Sequence, residues 1–369
     1  MNIPLNDLAR HLQPFTAPLQ EAFSQVMSGG QWILGSWCEQ FENSFADYCG
    51  TRHAISLANG TQALELALQA LGCQRGDEIV TVANAGGYAS QAILRAGAIP
   101  VYADVDAHHF LITPESFAAS ITPRTKAVVI THLYGLMADM PALCDIAHAR
   151  GIAVVEDCAQ AHGASFSGCK AGSWGLLGCF SFYPTKNLGA LGDAGCITTS
   201  DAQLAATLLS LRQHGWRHKK YHCQDLGQNS RMDALQAAFL LCLLPHLDGW
   251  NHKRRSVIAA YRQALTPLGA LFQQAPDDER FVAHLCTLRV KHRDALRTQL
   301  HKAGIATDIH YPVLDYAQPA FLQNTTRLPV SEQLAPEILS IPCFPEMTQE
   351  DIAAVVRALT ATLEYIKSN

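Results

Sequence analysis

Between residues 50 and 200, short apolar runs alternate with longer segments whose apolar positions recur every three or four residues. The runs at 53–57, 78–82, 99–103, 127–131, 152–156, 178–183 and 196–199 have the length and composition of strands. Between them, 61–71 (TQALELALQAL), 89–96, 141–150 and 202–213 carry the helical period. Strands separated by helices predict βαβ units, hence an α/β fold with a mainly parallel seven-stranded sheet covered on both faces. After residue 235 the pattern changes. A helix over 233–244 stops at Pro245, and the spacing predicts a second helix over 253–265, a strand over 285–290, a helix over 293–303, extended chain at 310–312 and a closing helix over 349–364. This divides the chain into an N-terminal arm plus large α/β domain, 1–245, and a smaller C-terminal α+β domain, 246–369.

Composition narrows the function. Of the 369 residues, 49% are hydrophobic and 16% charged, which suits a large packed core and excludes a disordered chain. Lys plus Arg number 27 against 32 Asp plus Glu, so the basic excess of a nucleic-acid binder is missing. The longest apolar run, 237–244, is far short of the roughly 20 residues of a membrane helix. The N-terminus shows no basic stretch followed by an apolar one, so no secretory signal is expected. Cys144, Cys158, Cys179, Cys196 and Cys242 lie in apolar periodic segments, where a free thiol behaves as a small hydrophobe, and no CxxC pair occurs. The expectation is a reducing, cytoplasmic setting. His214, His218 and His222 have a spacing of four, but Gly215 and the neighbouring Lys, Arg and Gln predict a solvated loop, and no metal is expected.

Ligands of an open parallel sheet bind beyond the carboxyl ends of its strands, and three polar groups fall there. Asn59-Gly60-Thr61 follows the first strand and opens a helix, a turn suited to phosphate, or simply to capping by Thr61. Asp157 ends the apolar run GIAVVED, as a site acid or a structural one. Lys186 follows the next strand in CFSFYPTKNLGALGDAG, among small and aromatic residues that would desolvate it and free its amine to attack carbonyls. Together, an anion cradle, an acid and a lysine are what pyridoxal 5'-phosphate needs: the lysine for its aldehyde, the acid for its ring nitrogen, the turn for its phosphate.

The chain resembles the nucleotide-sugar aminotransferases of the DegT/DnrJ type, which have the fold of aspartate aminotransferase (fold type I of pyridoxal-phosphate enzymes). The resemblance runs almost end to end. It rests on FENSFADYCGTRHAISLANGTQALELAL (41–68), GDEIV (76–80), ITPRTKAVVITHLYG (121–135), VVEDCAQAHGA (154–164), FSFYPTKNLGALGDAG (180–195), NSRMDALQAA (229–238) and IHYPV (309–313). EDxAQAxG followed by FSFxxxK is its most specific part. The resemblance implies that Lys186 is the Schiff-base lysine and the catalytic base. It implies that Asp157 pairs with the ring nitrogen, that Gln160 lies near the phenolic oxygen, and that Gly60, Thr61 and Ser181 hold the phosphate. Asn229 would reach the phosphate of a neighbouring subunit, so a homodimer with shared sites is implied, with a helix-capping role for Asn229 as the alternative.

The chain departs from the family pattern in two places. Where relatives carry an aromatic that stacks on the pyridine ring, this chain has Gly86, and Tyr88 is expected to take over. After IHYPV, where relatives have Pro and then His, it reads Leu314-Asp315-Tyr316, in a segment that lines the sugar site. The resemblance implies transfer of an amino group from L-glutamate to a keto-sugar nucleotide. FSFYPxKNLGxxGD is similar to the subgroup that aminates dTDP-3-keto-6-deoxyhexoses. Enzymes of 4-keto sugars, the alternative, more often carry His for Tyr183 and Glu for Asp193. His162, Tyr183, His310 and Tyr311 are candidate sugar contacts, or packed residues. Lys186 argues against a dehydratase of the same fold, which carries histidine there. A cofactor-bound regulatory protein without turnover, and a plain nucleotide-binding module, remain as other classes.

Overall fold

The alternation of side chains along each strand decides how the sheet is covered. Ala127 and Val129 point into one apolar cluster, Val128 and Ile130 into another, and both sets are buried. In the computed structural model, which describes residues 2–217, 219–321 and 326–368, seven strands form this sheet. They are β1 (His53–Leu57), β2 (Glu78–Val82), β3 (Ile99–Ala103), β4 (Thr125–Thr131), β5 (Ala153–Asp157), β6 (Leu177–Ser181) and β7 (Gly195–Thr199). Their order is β1-β7-β6-β5-β4-β2-β3. The pairs β2–β3, β2–β4, β4–β5 and β5–β6 are parallel, while β7 runs antiparallel to β1 and β6. The seven predicted strands and the mainly parallel sheet are therefore present, three with the predicted bounds and four with bounds moved by one or two residues.

Helices Gly60–Ala70, Tyr88–Arg95 and Ala202–Leu211 cover one face. The other face packs on Ser36–Cys49, whose Cys38, Phe41, Phe45 and Cys49 are buried at helical spacing. Because β1, β2, β4, β5 and β6 point the same way, the turns after them share one edge of the sheet. That edge carries 58–61, 83–88, Thr131–His132, 157–160 and 181–186.

The C-terminal part holds a three-stranded antiparallel sheet of Leu271–Phe272, Cys286–Arg289 and Ile338–Ile341, with helices Leu247–Leu265, Arg293–Lys302 and Gln349–Ser368. Leu247–Leu265 starts six residues earlier than its periodicity predicts, because Pro245 sits in the 3-10 turn Leu244–His246, where its missing N–H costs nothing. We propose the domain division at this turn. The N-terminal arm joins the C-terminal part: Ile3 pairs with Ile305, and Arg10 meets Asp351 at 2.9 Å. One apolar cluster runs from Ile3 through the large sheet to Leu363. The twelve cysteines are free, and no described helix is long and apolar enough to cross a membrane. His214 and His222 lie in turns outside any helix, as expected, while His218 is outside the described residues.

Directly before Asp157, Glu156 is fully buried and saturated. One carboxylate oxygen accepts the N–H groups of Trp174 and Gly175, both at 2.8 Å; the other accepts Gly172 N and His132 Nε2, both at 3.0 Å. His132, Glu156 and Cys158 cluster as metal ligands might, but these bonds occupy the carboxylate, and the group ties β4, β5 and the 172–175 loop together. Glu156→Ala is expected to lower unfolding stability by about 3–5 kcal/mol, read from urea denaturation. An unchanged midpoint would contradict this role.

Candidate active site

The first turn of a helix leaves backbone N–H groups without intrahelical partners, and β1 delivers such a turn to the sheet edge. Asn59 caps it, its Oδ1 accepting Gln62 N at 2.9 Å. Gly60 is required by a close approach: a Cβ there would lie 2.5 Å from the Cβ of Ser181. The N–H groups at 60 and 61 and the Ser181 hydroxyl thus converge, at the positive end of the helix dipole.

Asp157 ends β5 and is 6% exposed. Its Oδ1 accepts Ala159 N at 3.2 Å and its Oδ2 accepts the Thr131 hydroxyl at 3.3 Å. Burial pushes its pKa up, opposed by the Ala159 N–H and the charge of Lys186. Lys186 sits in the turn after β6, its N–H bonded to Tyr183 O at 2.8 Å. Burial lowers the pKa of its amine to about 8, with Asp157 pulling the other way. The next residue anchors the turn. Asn187 Nδ2 donates to Asn251 Oδ1 and to Val282 O, both at 2.8 Å, and Asn187 Oδ1 lies 2.9 Å from His284 Nδ1.

Gln160 is held in one orientation. A backbone N–H can only donate, so Gln160 Oε1 accepts Tyr134 N at 2.6 Å and its Nε2 donates to the Tyr311 hydroxyl at 3.1 Å. The structure thus brings Gly60 together with Ser181, Asp157 with Lys186, and Gln160 with Tyr311.

Other expected residues fall elsewhere. His162, expected as a sugar contact, is fully buried between Phe180 and Phe182, each ring 5.5 Å away, and its pKa is pushed down to about 3, chiefly by burial. It presents no surface to a sugar and acts as a packed neutral ring. Tyr88, expected to stack on the cofactor in place of residue 86, is 46% exposed and meets the Tyr311 ring edge-on, their centroids 6.4 Å apart. The space in front of Gly86 belongs to Tyr311 instead. Tyr183 is 53% exposed at the rim. His310 is half-buried, with Nδ1 2.9 Å from Ser340 Oγ and its backbone oxygen accepting the Tyr134 hydroxyl. Asn229 is exposed, its Oδ1 accepting Arg231 Nε at 2.8 Å, and the N-cap position of helix Ala234–Leu243 is held by Asp233, without a side-chain capping bond, and not by Asn229. Sequence reasoning missed Thr131, Tyr134 and Asn187. Only the polar Asn187 beside the lysine, in an otherwise apolar stretch, carried a local signal.

These residues fit pyridoxal 5'-phosphate. The missing Cβ at Gly60 lets Ser181 come up against the first turn of the helix, where backbone N–H groups are free for an anion, and the buried carboxyl and low-pKa amine suit the ring nitrogen and the aldehyde. The uptake rate of this cofactor by apoprotein is therefore expected to rise with pH and level off above about 8. A rate still climbing at the ordinary lysine pKa of about 10.4 would contradict the desolvated amine.

Comparison with known proteins agrees. The profile of the DegT/DnrJ/EryC1/StrS aminotransferase family matches residues 15–360. The chain is 41% identical to a UDP-N-acetyl-3-dehydro-alpha-D-glucosamine 3-aminotransferase of Acidithiobacillus ferrooxidans, over 98% of each chain. It is 41% identical to a dTDP-3-amino-3,6-dideoxy-alpha-D-galactopyranose transaminase of Aneurinibacillus thermoaerophilus, over 97% of this chain and 98% of the other. Among solved structures, Streptomyces venezuelae DesV in complex with a ketimine intermediate superposes with a TM-score of 0.94 at 39% identity, covering 98% of this chain and 99% of that one. The chain belongs to the DegT/DnrJ/EryC1/StrS aminotransferases, whose cofactor is pyridoxal 5'-phosphate.

Proposed function

We propose that the chain transfers the amino group of L-glutamate to carbon 3 of a dTDP-linked 3-keto-6-deoxyhexose. The observation that carries this reading is the placement of Lys186, in the turn after β6, at the same sheet edge as Asp157 at the end of the adjacent parallel β5, each within range of the other's charge. Relatives named for 3-amino sugars support position 3. The Acidithiobacillus relative favours a second reading with the same chemistry, on a UDP-linked 3-keto N-acetylglucosamine.

In this reading Gly60, Thr61 and Ser181 bind the cofactor's phosphate, Asp157 faces its ring nitrogen and Gln160 its phenolic oxygen. Pyridoxal phosphate, when bound, accepts the electron pair released at the amino-bearing carbon. Lys186 Nζ takes the proton from the α-carbon of glutamate and, in the second half, delivers one to carbon 3 of the sugar. A positioned base of this kind contributes roughly 10²–10⁴-fold, and a pKa near 8 leaves a useful fraction of free amine at neutral pH. Tyr183 and His310 at the rim contact the sugar.

We further propose a homodimer in which Asn229 reaches the neighbouring subunit's phosphate. Phe23, Met27, Trp32, Ile33 and Leu191 are each more than 40% exposed, an apolar surface that supports such an interface. Asn229→Ala is expected to weaken cofactor binding while the native mass by light scattering stays dimeric. Unchanged affinity would remove the cross-subunit contact.

The deciding experiment incubates the purified protein with glutamate and a panel of dTDP- and UDP-linked 3-keto and 4-keto sugars, followed by mass spectrometry. Amination of a 3-keto sugar is expected. Amination of 4-keto sugars alone would overturn position 3, and no release of keto acid from glutamate would favour a regulatory protein. Lys186→Ala should keep the circular-dichroism spectrum and lose turnover; retained turnover would reject the lysine's role.

A further inference from the structure

The two departures from the family pattern lie more than 200 residues apart in sequence and meet in space. Gly86 has φ +82°, and a Cβ on it would lie 2.8 Å from Tyr311 Cε1 and 2.9 Å from Tyr311 Cζ. The Tyr311 ring therefore occupies the place into which a side chain at 86 would project. Its far end is tethered by Gln160, and it is near enough to Asp157 to feel that carboxyl's charge.

The second departure fastens this arrangement. Asp315 N donates to Ala83 O at 2.8 Å, and the Ser90 hydroxyl donates to Asp315 Oδ2 at 2.5 Å. Ser90 Oγ also lies 3.0 Å from the Tyr102 hydroxyl. Leu314 is buried against Ala83 and Tyr102, and Tyr316 packs beside Tyr102 with ring centroids 5.9 Å apart. Leu314 and Asp315 thus grip the stretch that follows β2, and Tyr316 grips the neighbouring strand β3. A glycine that opens a slot, a ring that fills it and a triplet that pins the ring's segment form one unit.

We propose that Tyr311, delivered from the C-terminal part, is the aromatic wall against the pyridine ring of the cofactor in this chain, in place of a side chain at position 86. The inference rests on the cofactor assignment and not on which sugar is aminated. Gly86 is then kept small because any side chain would evict Tyr311.

Pyridoxamine phosphate tests this, because it has no aldehyde to link to Lys186 and so reports the non-covalent contacts alone. Its dissociation constant is measured by calorimetry on the full-length protein, without sugar or turnover. Tyr311→Ala is expected to weaken binding about tenfold, Tyr311→Phe much less, and Tyr88→Ala not at all. Gly86→Ala should weaken binding in the wild type and far less in the Tyr311→Ala background, since backbone strain at φ +82° is common to both arms and cancels. If Tyr311→Ala does not fold, Tyr311→Leu against Tyr311→Phe makes the same comparison of aliphatic with aromatic. Wild-type affinity in the non-aromatic variant, a loss carried by Tyr88→Ala, or an equal cost of Gly86→Ala in both backgrounds would overturn the proposal. A wild-type protein that bound pyridoxamine phosphate through Tyr311 but aminated no sugar would leave it standing while the functional reading fell. A wild type that bound none would end both.

Discussion

An ammonium ion taken out of water loses hydration that protein dipoles replace only in part, and the site depends on that loss at Lys186. Burial lowers the amine's pKa to about 8, while the charge of Asp157 limits the fall. Asp157 feels the converse, raised by burial and restrained by the lysine. Neither group would be useful alone: an exposed lysine would stay protonated, and an isolated buried acid would stay neutral. The pair exists because β5 and β6 are adjacent and parallel, so that their carboxyl ends deliver an acid and a lysine to the same edge.

The scaffold around the pair is polar and closed. Glu156, one residue before Asp157, spends its carboxylate on three backbone N–H groups and His132, which fixes the end of β5. Asn187, one residue after Lys186, is bonded to Asn251, Val282 and His284, which fixes the turn after β6. Since Asn251, Val282 and His284 come from beyond residue 245, the C-terminal part holds the lysine in place. The same part supplies Tyr311. The large sheet therefore positions the acid and the anion cradle, and the C-terminal part fixes what faces them.

Much of this was legible in the sequence. β1, β2 and β3 were readable to the residue because each is a five-residue, mainly apolar run between segments of different character. Asp157 and Lys186 stood out as polar groups at the tips of buried strands. Helix Ser36–Cys49 was not predicted: 38, 41, 45 and 49 carry the period, but the polar residues between them mask it. Strand Ile338–Ile341 was not, because four residues flanked by Pro342 hold too little pattern to separate strand from loop. Long-range geometry was hidden altogether. His162 has the composition of a site residue, yet two phenylalanines enclose it. Gly86 and Asp315 read as two isolated departures until the fold set them against the same segment.

The central claim is a covalent one at a single side chain. Reduction of the cofactor-loaded protein with borohydride, followed by peptide mapping, should place one phosphopyridoxyl group in the peptide carrying residue 186 and on no other lysine. A label on a different lysine, or none in a protein shown beforehand to hold the cofactor, would contradict the account.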